Sequence, residues 1–464
     1  MKMKHNKIAI AAVALVSLSM ATSCGLYKKF EMPTEESALA LDYTKAVEQG
    51  VDSAAFGNLQ WEQVFTDPVL ADLINQALAN NTNLRNAKLN VDQAQAQLKG
   101  ARLSYFPSVA FAPNGAGSSY SWGKMNWSYQ LPLSVSWEVD IFGKLLNSKR
   151  GAQAALEQSK AYEQAVRSQI IAGVANCYYA IASIESQLRL SRETSVLWGQ
   201  TVKVMEDLKE GGAVQETAVV QSRAQHYSIQ ASITDLEVSL DQANNTMSLL
   251  LNVMPQKWNV SADAALTAPA MLRDAIPMRE LAARPDVRAA EWTLASAYYQ
   301  TNSARAAFYP GLNITANGGF TNLLGSMVSN PGDWFAQLAG SLTAPIFSRG
   351  ANIARLEAAK AAQKQALNTF EYTLLSASAE VSDAMTIYEK SMEKSQLLTS
   401  QIENLKKSVE YTTELLTLGG YNTTYLEVLT AQQNLLGAQM SQLSNELTRA
   451  QAVINLYQSL GGGR

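Results

Sequence analysis

Polar and apolar residues alternate without a break through one stretch in the first half of the chain. From Trp127 to Asp140 every second residue is apolar, and the residues between them are polar except Pro132. This period of two is typical of a β-strand with one apolar face. Ten strand residues at about 3.3 Å each, tilted by about 40°, span roughly 25 Å, the height of an outer-membrane apolar band. We expect the apolar face to meet lipid through Trp127, Tyr129, Leu131, Leu133, Val135 and Trp137.

A weaker alternation recurs in the second half, over 312–321 and 334–346. With one strand before Trp127, each half would hold two strands and the chain four. Four strands cannot close a barrel, and an open sheet edge in lipid leaves backbone groups unpaired. Three chains would supply about twelve strands, which is enough. The pattern therefore predicts a trimer; the edge of a soluble sandwich is the alternative, although no further strands exist to cover the apolar face.

Helical periodicity fills most of the remaining chain. Residues 351–418 contain neither Gly nor Pro, so a helix of about 100 Å is permitted there, and 143–210 matches it in length. A double glycine ends each long helix, and return helices are expected over 213–254 and 421–460. Paired in this way, the helices of three chains can curve into a tube. A solid coiled coil would satisfy the helices taken alone.

A shorter helix is expected before each pair of strands. From Pro68 onward apolar residues recur at spacings of three and four, with Asp67 as the N-cap, so the first such helix is predicted over 69–106. Its equivalent in the second half runs from Met278 to Tyr309. A proline follows each helix and stops it.

The two halves of the chain repeat one order of elements. Residues 102–107 (RLSYFP) match 305–310 (RAAFYP), and Gly211-Gly212 match Gly419-Gly420. A duplication with small insertions explains the match. The predicted fold is an internally duplicated α+β membrane protein, with a trimeric 12-stranded β-barrel and long helices that can curve into a tube. The predicted divisions are a signal peptide (1–23), an extended, lipidated arm (24–60), a first repeat (61–260) and a second repeat (261–464).

The N-terminus has the features of a secretory signal. Three lysines precede an apolar run, and small residues lead to Cys24. Residues 21–24 (ATSC) resemble a bacterial lipobox, in which the cysteine is acylated and becomes the first mature residue; Ala21 departs from the usual Leu. An unlipidated cleavage site is the alternative. Because no acidic residue follows Cys24 directly, we expect the protein to reach the outer membrane.

Composition argues against chemistry at a titratable site. The formal net charge is −3, which gives no reason to expect a nucleic-acid partner. Two histidines and two cysteines are too few for a metal cluster. We therefore expect no enzymatic activity, no cofactor and no metal.

Four segments resemble the TolC-like outer membrane factor family, in its efflux lipoprotein branch. They are 61–80, 284–291 followed by 305–310, 425–433 and 456–463. The resemblance covers nearly all of the mature chain. It implies a homotrimer whose 12-stranded β-barrel in the outer membrane is continuous with a long α-helical periplasmic tunnel. The resemblance also implies that this homotrimer docks on a periplasmic adaptor protein and an inner-membrane pump and passively conducts substrates out of the cell.

The resemblance also implies where such a duct is gated. In this family, residues just after the last hairpin turn form rings about a three-fold axis, and the matching positions are Leu426, Glu427 and Thr430. Leu426 fits an apolar constriction and Glu427 an acidic ring, which would attract cations. Thr430 departs from the Asp of many relatives. The alternative for Glu427 is an ordinary solvated helix residue.

Both hairpin tips are expected to contact the adaptor. The tip residues are Gly211, Gly212, Gly419, Gly420 and Tyr421. Glycines that only turn the chain are the alternative. A type I secretion duct, a trimeric adhesin and a periplasmic coiled-coil scaffold are the competing functions, and the substrate is left open among drugs, metals and proteins.

Overall fold

The computed structural model describes residues 27–49, 59–119, 123–260, 278–324, 327–417 and 425–463. The predicted signal peptide and Cys24 lie outside these residues. So do Gly419, Gly420 and Tyr421 of the second tip.

The described chain alternates helical and strand segments. The helices are α1 Ala38–Gln49, α2 Trp61–Val64, α3 Pro68–Asn80, α4 Thr82–Leu103, α5 Lys144–Glu210, α6 Glu216–Leu250, α7 Met278–Ala282, α8 Pro285–Ala306, α9 Ala351–Thr417 and α10 Tyr425–Ser459. The strands are β1 Ser108–Phe111, β2 Asn114–Ser118, β3 Asn126–Val139, β4 Gly311–Leu324 and β5 Met327–Thr343.

Corresponding helices of the two halves have equal lengths. Helices α4 and α8 each contain 22 residues, α5 and α9 each contain 67, and α6 and α10 each contain 35. The order of elements is also the same in the two halves. In the described part of the chain, no helix combines the length and the apolar character that crossing a membrane requires.

The chain forms two compact units, and each takes segments from both repeats. The strand unit contains the described residues up to Leu41, together with Leu89–Ala161 and Arg288–Thr373. It includes the whole β-sheet. The helical unit contains Asp42–Lys88, Tyr162–Val287 and Leu374–Arg464.

One antiparallel sheet runs in the order β1-β3-β4-β5, and β2 also pairs with β3. Because β1 lies against residues 133–136 of β3 and β2 against 126–130, the two share one strand position. The sheet is therefore four strands wide, as expected, but its first strand is interrupted. Pro113 lies in the interruption, and a proline has no N–H to donate to a ladder.

The strand registers bring the apolar residues of neighbouring strands to one face. Val135 of β3 lies opposite Ala316 of β4, which in turn lies opposite Leu338 of β5. Phe320 lies opposite both Leu131 and Trp334. Residues directly opposite in an antiparallel pair point to the same side. The apolar residues of β1, β3, β4 and β5 therefore form a single continuous surface.

The helix predicted over 69–106 is two helices, because Asn81 interrupts it. The Asn81 side-chain oxygen accepts hydrogen bonds from the N–H groups of Asn83 (2.9 Å) and Leu84 (3.3 Å), which makes it the N-cap of α4. Its amide nitrogen donates to the Leu250 carbonyl at 2.8 Å. Helix α4 then ends at Leu103 and not at Phe106.

Two further expectations about helices are corrected. The second-half helix expected from Met278 to Tyr309 is divided into α7 and α8, where Pro285 takes the first position of α8 and starts a new helix. The arm expected to be extended contains α1. Ser37 begins this helix, since its hydroxyl oxygen accepts from the Ala40 N–H at 3.1 Å.

The core of the helical unit brings together residues from both ends of that unit's sequence. Phe65 packs edge-on against Tyr457 with ring centroids 5.8 Å apart, and both are buried. Asp67 caps α3 as expected, through Val69 N–H at 2.8 Å. Its second oxygen accepts from the Tyr178 hydroxyl at 2.7 Å. Burial and this carboxylate raise the pKa of Tyr178.

Candidate functional site

The predicted lipid-facing residues share one face of β3, and that face is open in the single chain. Trp127 is 67% exposed and Leu133 is 50% exposed, while Leu131 and Trp137 are each about two-fifths exposed and Tyr129 and Val135 are half-buried. On β5 the same surface carries Trp334 and Leu338, which are 80% and 77% exposed. An apolar surface of this extent marks a contact with lipid or with a partner.

The opposite face of the sheet is polar. Its β3 and β4 positions carry Ser134, Ser136, Asn313, Thr315 and Asn317. A sheet that is apolar on one side and polar on the other has the pattern of a membrane barrel wall, with lipid outside and water inside.

Both outer edges of the sheet lack a partner strand in the part of the chain that the structure describes. Strands β1 and β2 pair only with β3, and β5 pairs only with β4. Unpaired strand edges offer a row of free N–H and C=O groups to another strand.

The Asn322 side chain of β4 bonds the backbone of β3. The sequence pattern did not predict this role. The Asn322 side-chain oxygen accepts from the Tyr129 N–H at 2.6 Å, and its amide donates to the Trp127 carbonyl at 2.9 Å. The β3–β4 ladder ends at the pair Gln130–Thr321, and the Asn322 side chain extends the contact between these two strands beyond it. The β4–β5 register also shifts at this point, between Thr321 and Leu323. The only sequence signal was a polar residue in a strand of weak alternation.

The first hairpin tip is a closed glycine turn. The Ala213 N–H donates to the Leu208 carbonyl (2.8 Å) and the Gly212 N–H to the Lys209 carbonyl (2.9 Å), the pattern of a Schellman motif. Gly212 has a φ of 73°, which an L side chain adopts only with strain. Lys209 also forms an ion pair with Glu216 across the turn, which lowers the pKa of that carboxyl through a hydrogen bond and its charge.

The three predicted gate residues lie together on the exposed side of α10 near its first residue. Leu426 is 52% exposed, and Glu427 and Thr430 are also exposed. Helical spacing places these positions next to one another, whereas Val428 and Leu429 face inward and are buried. The Thr430 hydroxyl donates to the Leu426 carbonyl at 2.7 Å. Glu427 is therefore the only charged side chain among these three residues.

Tyr425 fixes the start of α10, and no sequence pattern indicated this role. Its hydroxyl donates to the Gln221 side-chain oxygen of α6 at 2.8 Å. Its ring packs against two small apolar clusters, one around Met205 and one around Trp198. The orientation of Leu426 and Glu427 follows from this anchored residue.

Arg284 belongs to the sequence segment 284–291. Its side chain bonds residues of the helical unit that are far apart in the sequence. Its side chain is 6% exposed and bonds both oxygens of Asp286 (3.0 and 2.7 Å) and one oxygen of Glu380 (2.8 Å). It also donates to the Ser459 carbonyl at the end of α10. Burial disfavours the charged form, but the two carboxylates outweigh burial and raise the pKa of Arg284.

The reactive residue types are engaged in ordinary packing. Cys177 is buried, and burial raises the pKa of its thiol to about 11. His226 lies within hydrogen-bond distance of Ser195 (3.3 Å) and Gln230 (3.0 Å). Over the described ranges, no group of three or more His, Cys, Asp or Glu side chains is placed to hold a metal ion.

A family model described as "Outer membrane efflux protein" matches residues 73–253 and 276–462. The two matched segments coincide closely with the two halves of the chain.

Individual relatives align over nearly the whole length. "Probable outer membrane lipoprotein SilC" of Salmonella typhimurium is 29% identical over 413 residues, 87% of this chain and 88% of SilC. "Cation efflux system protein CusC" of Escherichia coli K12 is 27% identical over 456 residues, 95% of this chain and 97% of CusC. The crystal structure of the open state of the Neisseria gonorrhoeae MtrE outer membrane channel superimposes with a TM-score of 0.78 at 28% identity, covering 89% of this chain and 94% of MtrE.

Proposed function

We propose that this chain, which belongs to the outer membrane efflux protein family, is the exit channel of a tripartite efflux system. The channel lies in the outer membrane. The observation that carries the proposal is the sheet, whose apolar face and two unpaired edges are open in the single chain. A channel of this kind transports substrates and performs no bond chemistry.

The complete channel is a homotrimer. Lipid does not tolerate the free edges of β1 and β5, because water is absent there to bond the backbone groups. Pairing β5 of one chain with the edge strands of the next satisfies both edges at once. Three four-strand sheets then close one 12-stranded barrel with the apolar face outward and the polar face lining a water-filled passage.

Gating takes place at the start of α10. Three-fold symmetry places three copies of Leu426 and three of Glu427 around one axis. The leucines narrow the passage, and the carboxylates attract cations while repelling one another. Thr430 adds no charge to these rings. Both the exposure of these side chains and the anchoring of Tyr425 support this assignment.

The partners are a periplasmic adaptor and an inner-membrane pump. The hairpin tips are the contact points: Gly211 and Gly212 on the first, and Gly419, Gly420 and Tyr421 on the second. The closed glycine turn at Gly212 supports this, because it leaves open space around the tip. CusC is named as part of a cation efflux system, so cations are a substrate class to test first.

Cys24 is the lipid attachment site. Its lipobox-like context and the word lipoprotein in the name of SilC support acylation. Replacing Cys24 with Ala is expected to abolish labelling by a fatty-acid probe, while the barrel keeps the protein in the membrane. Equal labelling of the variant and the wild type would contradict this assignment.

The channel function is tested by recording from the purified full-length protein in planar bilayers. We expect discrete conductance steps from a heat-modifiable trimer. A protein that stays monomeric in detergent and adds no conductance would contradict the proposal and favour the periplasmic scaffold.

A further inference from the structure

The N-terminal arm is bound firmly to the strand unit at its first described residues. One nitrogen of Arg150 donates to the carbonyls of Tyr27 (3.1 Å) and Lys28 (3.2 Å). Two residues later the Phe30 N–H donates to the Tyr299 hydroxyl at 3.0 Å. The chain that follows Cys24 is thus held in place within three residues of that cysteine.

A cavity of about 520 Å³ lies beside this arm within the strand unit. Its lining includes the cationic side chains of Lys28 and Arg305, the amide of Asn302 and the rings of Tyr27, Tyr298 and Tyr309. Tyr309 is two residues before the first residue of β4, so the cavity lies at the end of the sheet where the helices begin.

In the part of the chain that the structure describes, the cationic groups of the cavity form no ion pair. Among the described residues, neither Arg305 nor Lys28 has a carboxylate within ion-pair distance. The acid whose charge acts on Tyr27 is Asp140. Its two oxygens already accept from the N–H groups of Leu145 (3.0 Å) and Leu146 (2.7 Å). Asp140 therefore accepts hydrogen bonds from the first turn of α5.

Asn302 presents an unused hydrogen-bond donor. The residue is 1% exposed, and its side-chain oxygen accepts from Arg305 at 3.3 Å. A guanidinium can only donate, so this bond fixes the orientation of the amide. Over the described ranges, the amide nitrogen has no hydrogen-bond partner. A buried donor of this kind is destabilising unless a ligand supplies an acceptor.

We propose that this cavity binds the phosphate of a phospholipid headgroup. The Arg305 guanidinium, the Lys28 ammonium and the Asn302 amide nitrogen are donors, which selects an anion with several acceptor oxygens. The tyrosines are typical of a membrane–water boundary. The assignment of this phosphate to a lipid rests on the proposed function, which places the end of the sheet at that boundary. Free inorganic phosphate shares the same chemistry.

The equivalent place in the first repeat is built differently. Arg102 corresponds to Arg305, but its guanidinium bonds the Gln153 side chain at 3.4 Å. Lys99 and Gln95 stand at the positions of Asn302 and Tyr298. The site is thus specific to the second repeat, and Arg102 provides a matched control.

The test uses the purified full-length protein in detergent, titrated with a short-chain phosphatidylglycerol and followed by native mass spectrometry. We expect one retained lipid per chain. Arg305→Gln and Asn302→Asp are expected to weaken binding about tenfold or more, because each removes a donor and the second also adds a negative charge. Arg102→Gln is expected to bind like the wild type. Asn302→Asp keeps the acceptor for Arg305 and so preserves the local fold.

Parallel titrations use a diacylglycerol of the same chain length and inorganic phosphate. They show whether the site binds the phosphate group or the acyl chains, and whether that phosphate comes from a lipid or from solution. Equal binding of the diacylglycerol, or equal loss with Arg102→Gln, would overturn the phosphate site. Binding of inorganic phosphate without binding of the lipid would overturn the lipid source. Normal bilayer conductance without lipid binding would overturn this inference alone, whereas lipid binding without conductance would count against the proposed function.

Discussion

The strand unit and the helical unit treat apolar side chains in opposite ways. In the helical unit Phe65, Ile171 and Tyr178 are at most 1% exposed. In the strand unit Trp334 and Leu338 are 80% and 77% exposed. The helical unit has a buried apolar core within one chain, as a water-soluble domain does, although some apolar side chains such as Leu249 and Leu397 are 77% and 66% exposed. The strand unit leaves its apolar face exposed in the single chain, as the proposed contact with lipid requires, and a hydrophobic pattern therefore has to be interpreted together with its surroundings.

The largest expected effect comes from placing a charge on the apolar face. Leu133→Lys is expected to impair assembly by about 2–4 kcal/mol per chain if this side chain lies at mid-bilayer. Heat-modifiable trimer on gels and the outer-membrane fraction would be measured.

The neighbouring polar position provides the control. Ser134→Lys faces the opposite side of the same strand and is expected to assemble normally. If the two lysine variants assembled equally well, the two faces of the sheet would not differ in solvent.

The helical unit should be most sensitive at a buried charge. Arg284→Gln is expected to lower the free energy of unfolding by about 3 kcal/mol, the lower end for a broken buried pair, because Asp286 and Glu380 are 44% and 53% exposed. Denaturant titration would measure the loss.

Arg192→Gln is the matched control for this prediction. Arg192 pairs with Glu237 at 2.7 Å, but both side chains are about half exposed, so the loss should be at most about 1 kcal/mol. Similar losses in the two variants would show that burial does not decide the value of these pairs.

A smaller effect is expected at the proposed gate. Leu426→Ala should raise basal conductance by widening the constriction, and Glu427→Gln should lower the preference for cations. Each charge contributes about 0.5–2 kcal/mol on a cation at roughly 8 Å, so several-fold changes in selectivity are expected. Single-channel recording separates the two effects.

Adding an acidic ring sharpens the same test. Thr430→Asp is expected to increase cation selectivity. Thr448 lies on the same side of α10, five turns or about 27 Å beyond Thr430. Thr448→Asp should therefore change cation selectivity little. Equal effects of the two variants would place the constriction away from the start of α10.

The smallest expected effect is at the first tip. The lowered pKa of Glu216 means that its bond to Lys209 stabilises the turn at neutral pH and is lost as pH falls through that lowered value. The protection factors of the tip amides, which are corrected for the intrinsic pH dependence of exchange, should therefore fall in acid in the wild type. A Glu216→Gln variant should show low protection at both pH values; high protection there at neutral pH would contradict the role of the ion pair.

Local signals in the sequence accounted for most of the secondary structure. The strand expected from Trp127 is present as β3, because a period of two is visible without any knowledge of the partner strands. The long helix expected over 351–418 is present as Ala351–Thr417, since nothing in that segment interrupts a helix. The break at Asn81 was missed, because apolar spacing continues across it and the residue acts through its side chain. The break in the first strand had a visible cause in Pro113.

Contacts between distant residues were not predictable in this way. Arg284 belongs to a segment that the sequence singled out, but its partner Ser459 lies 175 residues away. Asn322 bonds the backbone of Trp127, 195 residues away. The cavity at Arg305 depends on the arm around Tyr27, which no periodicity connects to α8.

The sequence by itself determined the long helices and the main strands, which face of each strand is apolar and that the chain repeats, although it missed α1 and the helix breaks at Asn81 and before Pro285. These features depend on residues a few positions apart, whose spacing is fixed by backbone geometry. Only the tertiary structure decided the strand register, the residues joined by Arg284 and Asn322 and the lining of the cavity. Such contacts depend on which distant side chains packing brings within a few ångströms, and that is a property of the folded chain as a whole.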